Sequence, residues 1–305
     1  MSGVFPDKFK AMKGDDYDDS KLSYPRIGMP KIDGYRGLLG YDNLLYSPAL
    51  KPIQNRFVRS YFDGLIPAHM RLDGELIIGR PNDPSIYKNT DGPIRQINGE
   101  PDFSYWVFDN WAFDGGYQER YNSLIHYLKH NLIDRRIHIV PQTILRSFEE
   151  LDHFTEQCLH DGFEGIMTRS ISGPYKYGRS TLKEGWLLKH KPFRDDEAQI
   201  ISVYPAFKNN NVGKIGTDGR LERSSHKENK IQKDMIGGFV CEVLTGPFAG
   251  VITNIGPGCM PHDERIALWG TDLVGRTITF KHMKHIGGYT KPRQGRFWRF
   301  REGSI

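Results

Sequence analysis

Apolar residues recur along this chain in two rhythms, and each rhythm predicts a different element. Arg71 to Ile78 and Phe103 to Trp111 are short apolar-rich runs bounded by turn residues, and they predict strands. Gln118 to Leu132 sets Tyr121, Leu124, Ile125, Leu128 and Leu132 at helical spacing on one face. Ser147 and Glu150 form an S-x-x-E start for a second helix. Leu151, Phe154, Cys158 and Leu159 then predict its buried side, and Gly162 its end. Gly165 to Arg169 and Gly185 to His190 predict two further strands.

The texture changes after Lys191-Pro192. Ala198 to Tyr204, Gly238 to Leu244, Val251 to Ile255 and Arg276 to Lys281 are strand candidates separated by Gly- and Pro-rich turns. They predict a small antiparallel barrel. Between them, Lys208 to Lys233 is polar and basic with little that packs, and it predicts a long mobile loop. The expected architecture is α+β, with a first domain over 1–192 and a β-barrel domain over 193–305 that carries the basic loop around 208–233.

Length agrees with this division, since 305 residues suit one large or two ordinary domains. No apolar run approaches the length of a bilayer span, and Met1 to Lys13 lacks the apolar stretch of a secretory signal. Cys158, Cys241 and Cys259 are scattered without a CxxC spacing, so a reducing, cytoplasmic setting is expected. The net charge of +5 is unevenly spread. Asp15, Asp16, Asp18 and Asp19 make the start acidic, whereas Lys281, Lys284, Lys291, Arg293, Arg296, Arg299 and Arg301 crowd the last third. That gradient suggests a polyanionic partner, with a solvated basic face as the plain alternative.

The candidate chemistry begins at Lys31-Ile32-Asp33-Gly34-Tyr35-Arg36. An amine, a carboxylate, a glycine bend and a guanidinium in one stretch suit a lysine that attacks the α-phosphate of a nucleotide and keeps the nucleoside monophosphate. A surface turn explains Asp33-Gly34 equally well at this point. Lysine has an ordinary pKa of about 10.4, so holding a free amine at neutral pH costs about 4 kcal/mol. Nearby cations or a metal are expected to supply that depression. Asp73 and Glu75 share a strand face, which suits a divalent cation or a ribose, or a turn. Lys189 and Lys191 also alternate onto one face, suiting either an α-phosphate or a solvated linker. Phe108 ends an aromatic run, where a ring stacks on a purine or fills a core. Glu164 opens a strand after a helix, where a lone acid is ordinarily solvent-facing. His126 and His130 lack the glutamate of a zinc protease, and these two, with His282 and His285, are expected to be solvated.

Taken in order, K-x-D-G-x-R, D-G-E, F-D, E-G-I-M and K-x-K-P resemble the covalent nucleotidyltransferases, in particular the small ATP-dependent DNA ligases of the bacteriophage type. The likeness runs from about Tyr24 to Pro192, and more loosely through Arg296-Phe297-Trp298-Arg299-Phe300-Arg301. It implies an adenylation domain, ATP-grasp-like with antiparallel sheets and helices, followed by an OB-fold domain. By resemblance, Lys31 is the nucleophile toward ATP, and Met29 and Pro30 line the adenine pocket. Arg36 contacts the nucleotide and the nick, Glu75 binds the ribose and assists the metal, and Glu164 helps hold Mg²⁺ or Mn²⁺. Phe108 stacks on adenine, and Lys189 and Lys191 clamp the α-phosphate. Lys51, Arg56, Lys176 and Arg179 match positions near DNA.

The expected partner is nicked duplex DNA, bound by a monomer without a membrane, in a host cytoplasm if the source is viral. One departure stands out: Pro48 occupies the place of a family arginine that helps bind the nick 5′-phosphate, which Arg56 or Arg59 would have to replace. An RNA ligase or a GTP-dependent capping enzyme shares the lysine chemistry, and a non-catalytic OB-type nucleic-acid-binding protein leaves the acids and lysines unexplained.

Overall fold

The computed structural model describes residues 3–18, 21–67, 69–83, 85–131, 134–191, 193–215, 221–223, 228–283 and 290–301. Asp19, Leu132, Pro192, Lys284, His285 and residues 216–220 and 224–227 of the basic 208–233 segment lie outside the described residues. The chain divides into two compact units, Met1–His190 and Lys191–Ile305. It is of the α+β class. No described helix is long and apolar enough to cross a membrane.

The first unit opens with β1 (Asp15–Asp16), β2 (Arg26–Pro30), β3 (Tyr35–Leu39), β4 (Leu45–Tyr46), α1 (Arg56–Ser60) and β5 (Leu72–Ile77). It continues through α2 (Ile86–Arg95), β6 (Ser104–Asn110), α3 (Tyr117–Asn131), β7 (Ile137–Ile139) and β8 (Thr143–Leu145). Last come α4 (Phe148–His160), β9 (Ile166–Ser170) and β10 (Leu187–His190). Two five-stranded sheets result, ordered β1-β10-β9-β2-β8 and β4-β3-β5-β6-β7. Ile27 and Met29 from the first sheet and Leu72, Leu76, Tyr105 and Val107 from the second belong to one apolar core. That burial drives the two sheets together, since each buried large side chain contributes about 1.5–3 kcal/mol.

Helix α4 has the start and end that its sequence signals imply. The Glu150 N–H donates to Ser147 Oγ at 3.3 Å, while the Glu150 carboxylate accepts from the Arg146 N–H, one residue earlier than in a standard capping box. At the other end Gly162 has φ +97°, and the N–H groups of Gly162 and Phe163 donate to Leu159 and Cys158. This is a Schellman ending, and it turns the chain directly into Glu164.

The second unit contains β11 (Phe193–Asn209), β12 (Gly213–Ile215), β13 (Leu221–Arg223), β14 (Lys230–Val243), β15 (Ile252–Ile255), α5 (His262–Ala267), β16 (Thr277–Met283) and β17 (Arg296–Phe300). Its main sheet is ordered β15-β14-β11-β16-β17. The two outer strands then meet. Gly256 N–H donates to Gly295 O and Phe297 N–H donates to Gly256 O, both at 2.9 Å, in a parallel bridge. Five strands thereby close into a barrel with a helix between the third and fourth, the OB arrangement.

Two expectations are corrected here. Lys208 to Lys233 is not a loop without structure: β11 runs to Asn209, β14 starts at Lys230, and β12 pairs with β13 between them. The sequence there is mostly polar and charged, which is why hydrophobic patterning missed its backbone ladders. His282 is fully buried, not solvated, with its ring nitrogens 2.8 Å from Asp196 Oδ2 and from the Met283 carbonyl. His126 and His130 stand on α3 with rings 4.9 Å apart.

Candidate active site

Between the two sheets of the first unit lies a cavity of about 290 Å³. Lys31 enters it from the turn that links β2 to β3. Pro30 ends β2 opposite Ile166, and Lys31 N–H then donates to Gly165 O at 2.9 Å while Glu164 N–H donates back to Lys31 O at 3.3 Å. This exchange sets the two side chains face to face, and Lys31 Nζ donates to Glu164 Oε2. Glu164 is buried, contrary to the solvent-facing expectation for a lone acid at a strand start. The Asp33-Gly34 turn has its own steric cause: a Cβ at Gly34 would stand 2.6 Å from Leu76 O, so only glycine lets the turn pass beside β5.

The protonation of Lys31 is opposite to the sequence expectation. Burial pulls its pKa down, but Glu164 raises it by charge and by hydrogen bond, with Glu75 and Asp33 adding to the rise. The result is a pKa above the ordinary 10.5, so Lys31 is an ammonium held by a carboxylate. Cations do not depress it. If Glu164 is neutralised or drawn away, its opposing effect on the amine is lost and burial gains weight.

Strands β3 and β5 supply the acidic side of the cavity. Arg36 stands opposite Glu75 in register, and it donates Nε and Nη2 to Asp73 at 2.8 and 2.6 Å. Its Nη1 donates to the Met12 carbonyl at 2.7 Å, and Tyr175 donates its hydroxyl to Asp73 at 2.7 Å. Glu75 lines the cavity with one oxygen, Oε2, buried and without a hydrogen-bond partner. Burial pushes its pKa up to about 8 against the opposing pull of Lys31 and Arg36. An acid in that condition waits for a donor, and a sugar hydroxyl or a cation is one that fits.

Phe108 reaches the cavity through a β-bulge. Asp73 faces Asp109 and Gly74 faces Val107, so Phe108 is the extra residue, and its ring is free to turn inward. With Met29, Val140, Met167 and Leu187 it forms an apolar wall suited to a planar base. Beneath it, Asp109 accepts from Arg120 Nε and from Arg169 Nη1, both at 2.7 Å, all three residues being buried.

Of the residues singled out from sequence, Met29, Pro30, Lys31, Arg36, Glu75, Phe108, Lys189 and Arg179 line this cavity. Glu164 joins through Lys31. Lys189 ion-pairs with Asp16 at 3.3 Å. Lys191 does not share its strand, because β10 ends at His190 and Lys191 opens the second unit. Lys176 is committed to Glu184 at 2.6 Å. Lys51 and Arg56 are exposed around β4 and α1, and Pro48 lies in the Ser47–Leu50 turn. Asp73, read from sequence with Glu75 as suiting a cation, a ribose or a turn, instead accepts from Arg36 and Tyr175; sequence reasoning missed Lys13, Asp109, Arg120, Arg169 and Tyr175, whose roles depend on long-range pairing. Among all of these the one local signal was the i, i+2 spacing of Asp73 with Glu75.

The set fits a nucleotide: cations for phosphates, an apolar wall for a base, and Glu75 for a sugar. No group of three or more His, Cys, Asp or Glu side chains arranged to hold a metal exists among the described residues. Mg²⁺ at phosphates needs only one or two carboxylates, and Glu164 and Glu75 are the acids that stand around the Lys31 amine.

Comparison with known proteins agrees with this geometry. Residues 27–191 match the family described as ATP dependent DNA ligase domain. A DNA ligase of African swine fever virus (isolate Tick/South Africa/Pretoriuskop Pr4/1996) is 26% identical over 156 residues, 49% of this chain. The chain spans only 36% of that enzyme's length. The Chlorella virus DNA ligase-adenylate is 27% identical, with a TM-score of 0.53, covering 96% of this chain and 99% of that one. A Lig E DNA ligase shares the fold, with a TM-score of 0.70, 24% identity, and coverage of 96% and 99%.

Proposed function

The chain belongs to the ATP-dependent DNA ligase domain family, and on that premise we propose that it joins DNA strands through an AMP group carried on Lys31. The observation that carries this reading is the meeting of Lys31 with Glu164 in a cavity that also holds Arg36, Glu75, Phe108 and Lys189.

Lys31 first gives up a proton to solvent, then its free amine attacks the α-phosphate of ATP. A P–N bond forms and the bond to pyrophosphate breaks. Lys189 neutralises charge on the α-phosphate after leaving Asp16. Glu75 accepts a ribose hydroxyl, Phe108 stacks on the adenine, and Met29 with Pro30 lines its edge. Mg²⁺ held by Glu164 and Glu75 would offset phosphate charge and help pyrophosphate leave. Transfer follows the same logic. The nick 5′-phosphate takes AMP from Lys31, whose nitrogen leaves as an amine, and the 3′-hydroxyl then displaces AMP to close the strand.

We assign adenylation to the first unit and DNA engagement partly to the barrel, where Arg296 and Arg299 are exposed on β17 and Lys281 lies 3.7 Å from the Trp298 ring centre. Arg36, Lys51, Arg56 and Arg179 are the first unit's candidates for DNA contact, and Lys176 joins them once released from Glu184. Incubation with labelled ATP and Mg²⁺ tests the reading: a covalent AMP adduct is expected, with the label chased into nicked DNA on sealing. Labelling by GTP instead, or an adduct on a Lys31→Arg variant, would overturn it.

A further inference from the structure

Phe108 turns into the cavity as the extra residue of a bulge, so no residue of β5 stands opposite it in register. Its backbone is held instead from helix α3. Tyr117, the first residue of α3, donates its hydroxyl to the Phe108 carbonyl at 2.9 Å. The same hydroxyl accepts from Gln142 Nε2, so it is donor and acceptor at once. Tyr117 is buried, and burial pushes its pKa up, which keeps the proton on the oxygen and the bond to Phe108 intact. The ring is fixed as well, with the Arg169 guanidinium 4.3 Å from its centre. One residue beyond Phe108, Asp109 accepts from Arg120 of the same helix at 2.7 Å. Helix α3 therefore grips the bulge at two consecutive residues, by a neutral hydrogen bond at 108 and an ion pair at 109.

We propose that Tyr117 is a positioning residue for the base: its hydroxyl fixes the Phe108 backbone so that the ring presents one constant face to the nucleotide. This inference rests on the adenylyl-transfer reading above, and Tyr117 itself does not line the cavity. A bulged residue lacks the ladder that would otherwise hold it, and an aromatic wall binds most tightly when its ring is already in place. The ion pairs of Asp109 secure the strand beyond the bulge. The Tyr117 hydroxyl acts on the residue whose ring meets the base.

Tyr117→Phe in the full chain removes the hydroxyl and keeps the ring. Its KM for ATP in formation of the AMP adduct is expected to rise about fivefold, with kcat changed by less than about twofold. Inhibition by ribose 5′-triphosphate, which has the sugar and phosphates but no base, is expected to stay as in the wild type. In a Phe108→Ala background, the same substitution is expected to leave the KM for ATP where Phe108→Ala alone puts it. Gln142→Met keeps the hydroxyl and removes the group that fixes it, so a smaller rise in the same KM is expected. It carries the test if Tyr117→Phe does not fold, and an unchanged KM there overturns the proposal. An unchanged KM in a folded Tyr117→Phe protein, an equal loss for ribose 5′-triphosphate, or the same rise with Phe108→Ala present overturns it too. So does a Phe108→Ala protein whose KM for ATP is that of the wild type. A wild-type protein that forms no adduct instead overturns the adenylyl-transfer reading beneath it.

Discussion

Glu164 holds the Lys31 amine as an ammonium, across a separation of 133 residues in the chain. Glu164→Gln removes the charge that raises the pKa of Lys31 and leaves burial with the larger share. The pKa of Lys31 is then expected to fall, and each unit of fall gives about tenfold more free amine at neutral pH. The pH dependence of Lys31 modification by an amine-reactive reagent, followed by mass spectrometry, measures this directly. A rise or no change refutes the proposed control. Because the folded pKa lies above 10.5, the pair's contribution to stability is complete below pH 10.5 and is lost only as pH rises through the folded value.

Glu75 has the opposite linkage. Its pKa is raised from 4.5 to about 8, chiefly by burial, so between those values the native state binds more protons than the unfolded chain. Stability therefore falls as pH rises across that window. Glu75→Gln removes the penalty. Thermal melts from pH 5 to pH 8 are expected to decline a few degrees less for the variant than for the wild type. Parallel declines count against the buried, unpaired carboxyl.

Asp109 anchors two buried guanidiniums. Asp109→Asn keeps the shape and removes the charge, leaving Arg120 and Arg169 without their carboxylate. A loss of about 3–5 kcal/mol is expected in urea denaturation of the first unit. A loss under about 1 kcal/mol would mean that the carbonyls of Gly115 and Gly173, which also accept from Arg120, suffice.

Pro48 sits at the second position of a turn closed by Leu50 N–H donating to Ser47 O at 2.8 Å. Arginine is tolerated there. Pro48→Arg is expected to tighten binding of 5′-phosphorylated nicks about tenfold at fixed salt, with little gain for 5′-hydroxyl nicks. Equal gain for both would reduce the effect to bulk charge.

Much of the fold was legible because its strands and helices bury one face. The helix expected over Gln118–Leu132 lies at Tyr117–Asn131, and the strand expected over Arg71–Ile78 at Leu72–Ile77. What escaped has particular causes. Gly92 and Pro93 lie inside α2 and disguise it as a loop. The bulge that turns Phe108 inward leaves no mark on hydrophobic alternation. Asp196 and His282, paired across 86 positions, cannot be matched from one sequence. At the site, the motifs located Lys31, Glu75 and Glu164, but not the charge state that Glu164 imposes on Lys31.

The Gly256–Phe297 seam has a bearing on what the barrel offers to a neighbouring chain. A ring of strands presents no bare rim onto which a neighbouring chain could stack, so the barrel needs no charged guard along its margin. That protection hangs on β17, the final described strand. Trimming the chain before Arg296 would uncover two rims at once, on β15 and β16, and turn a self-contained ring into a template for clumping.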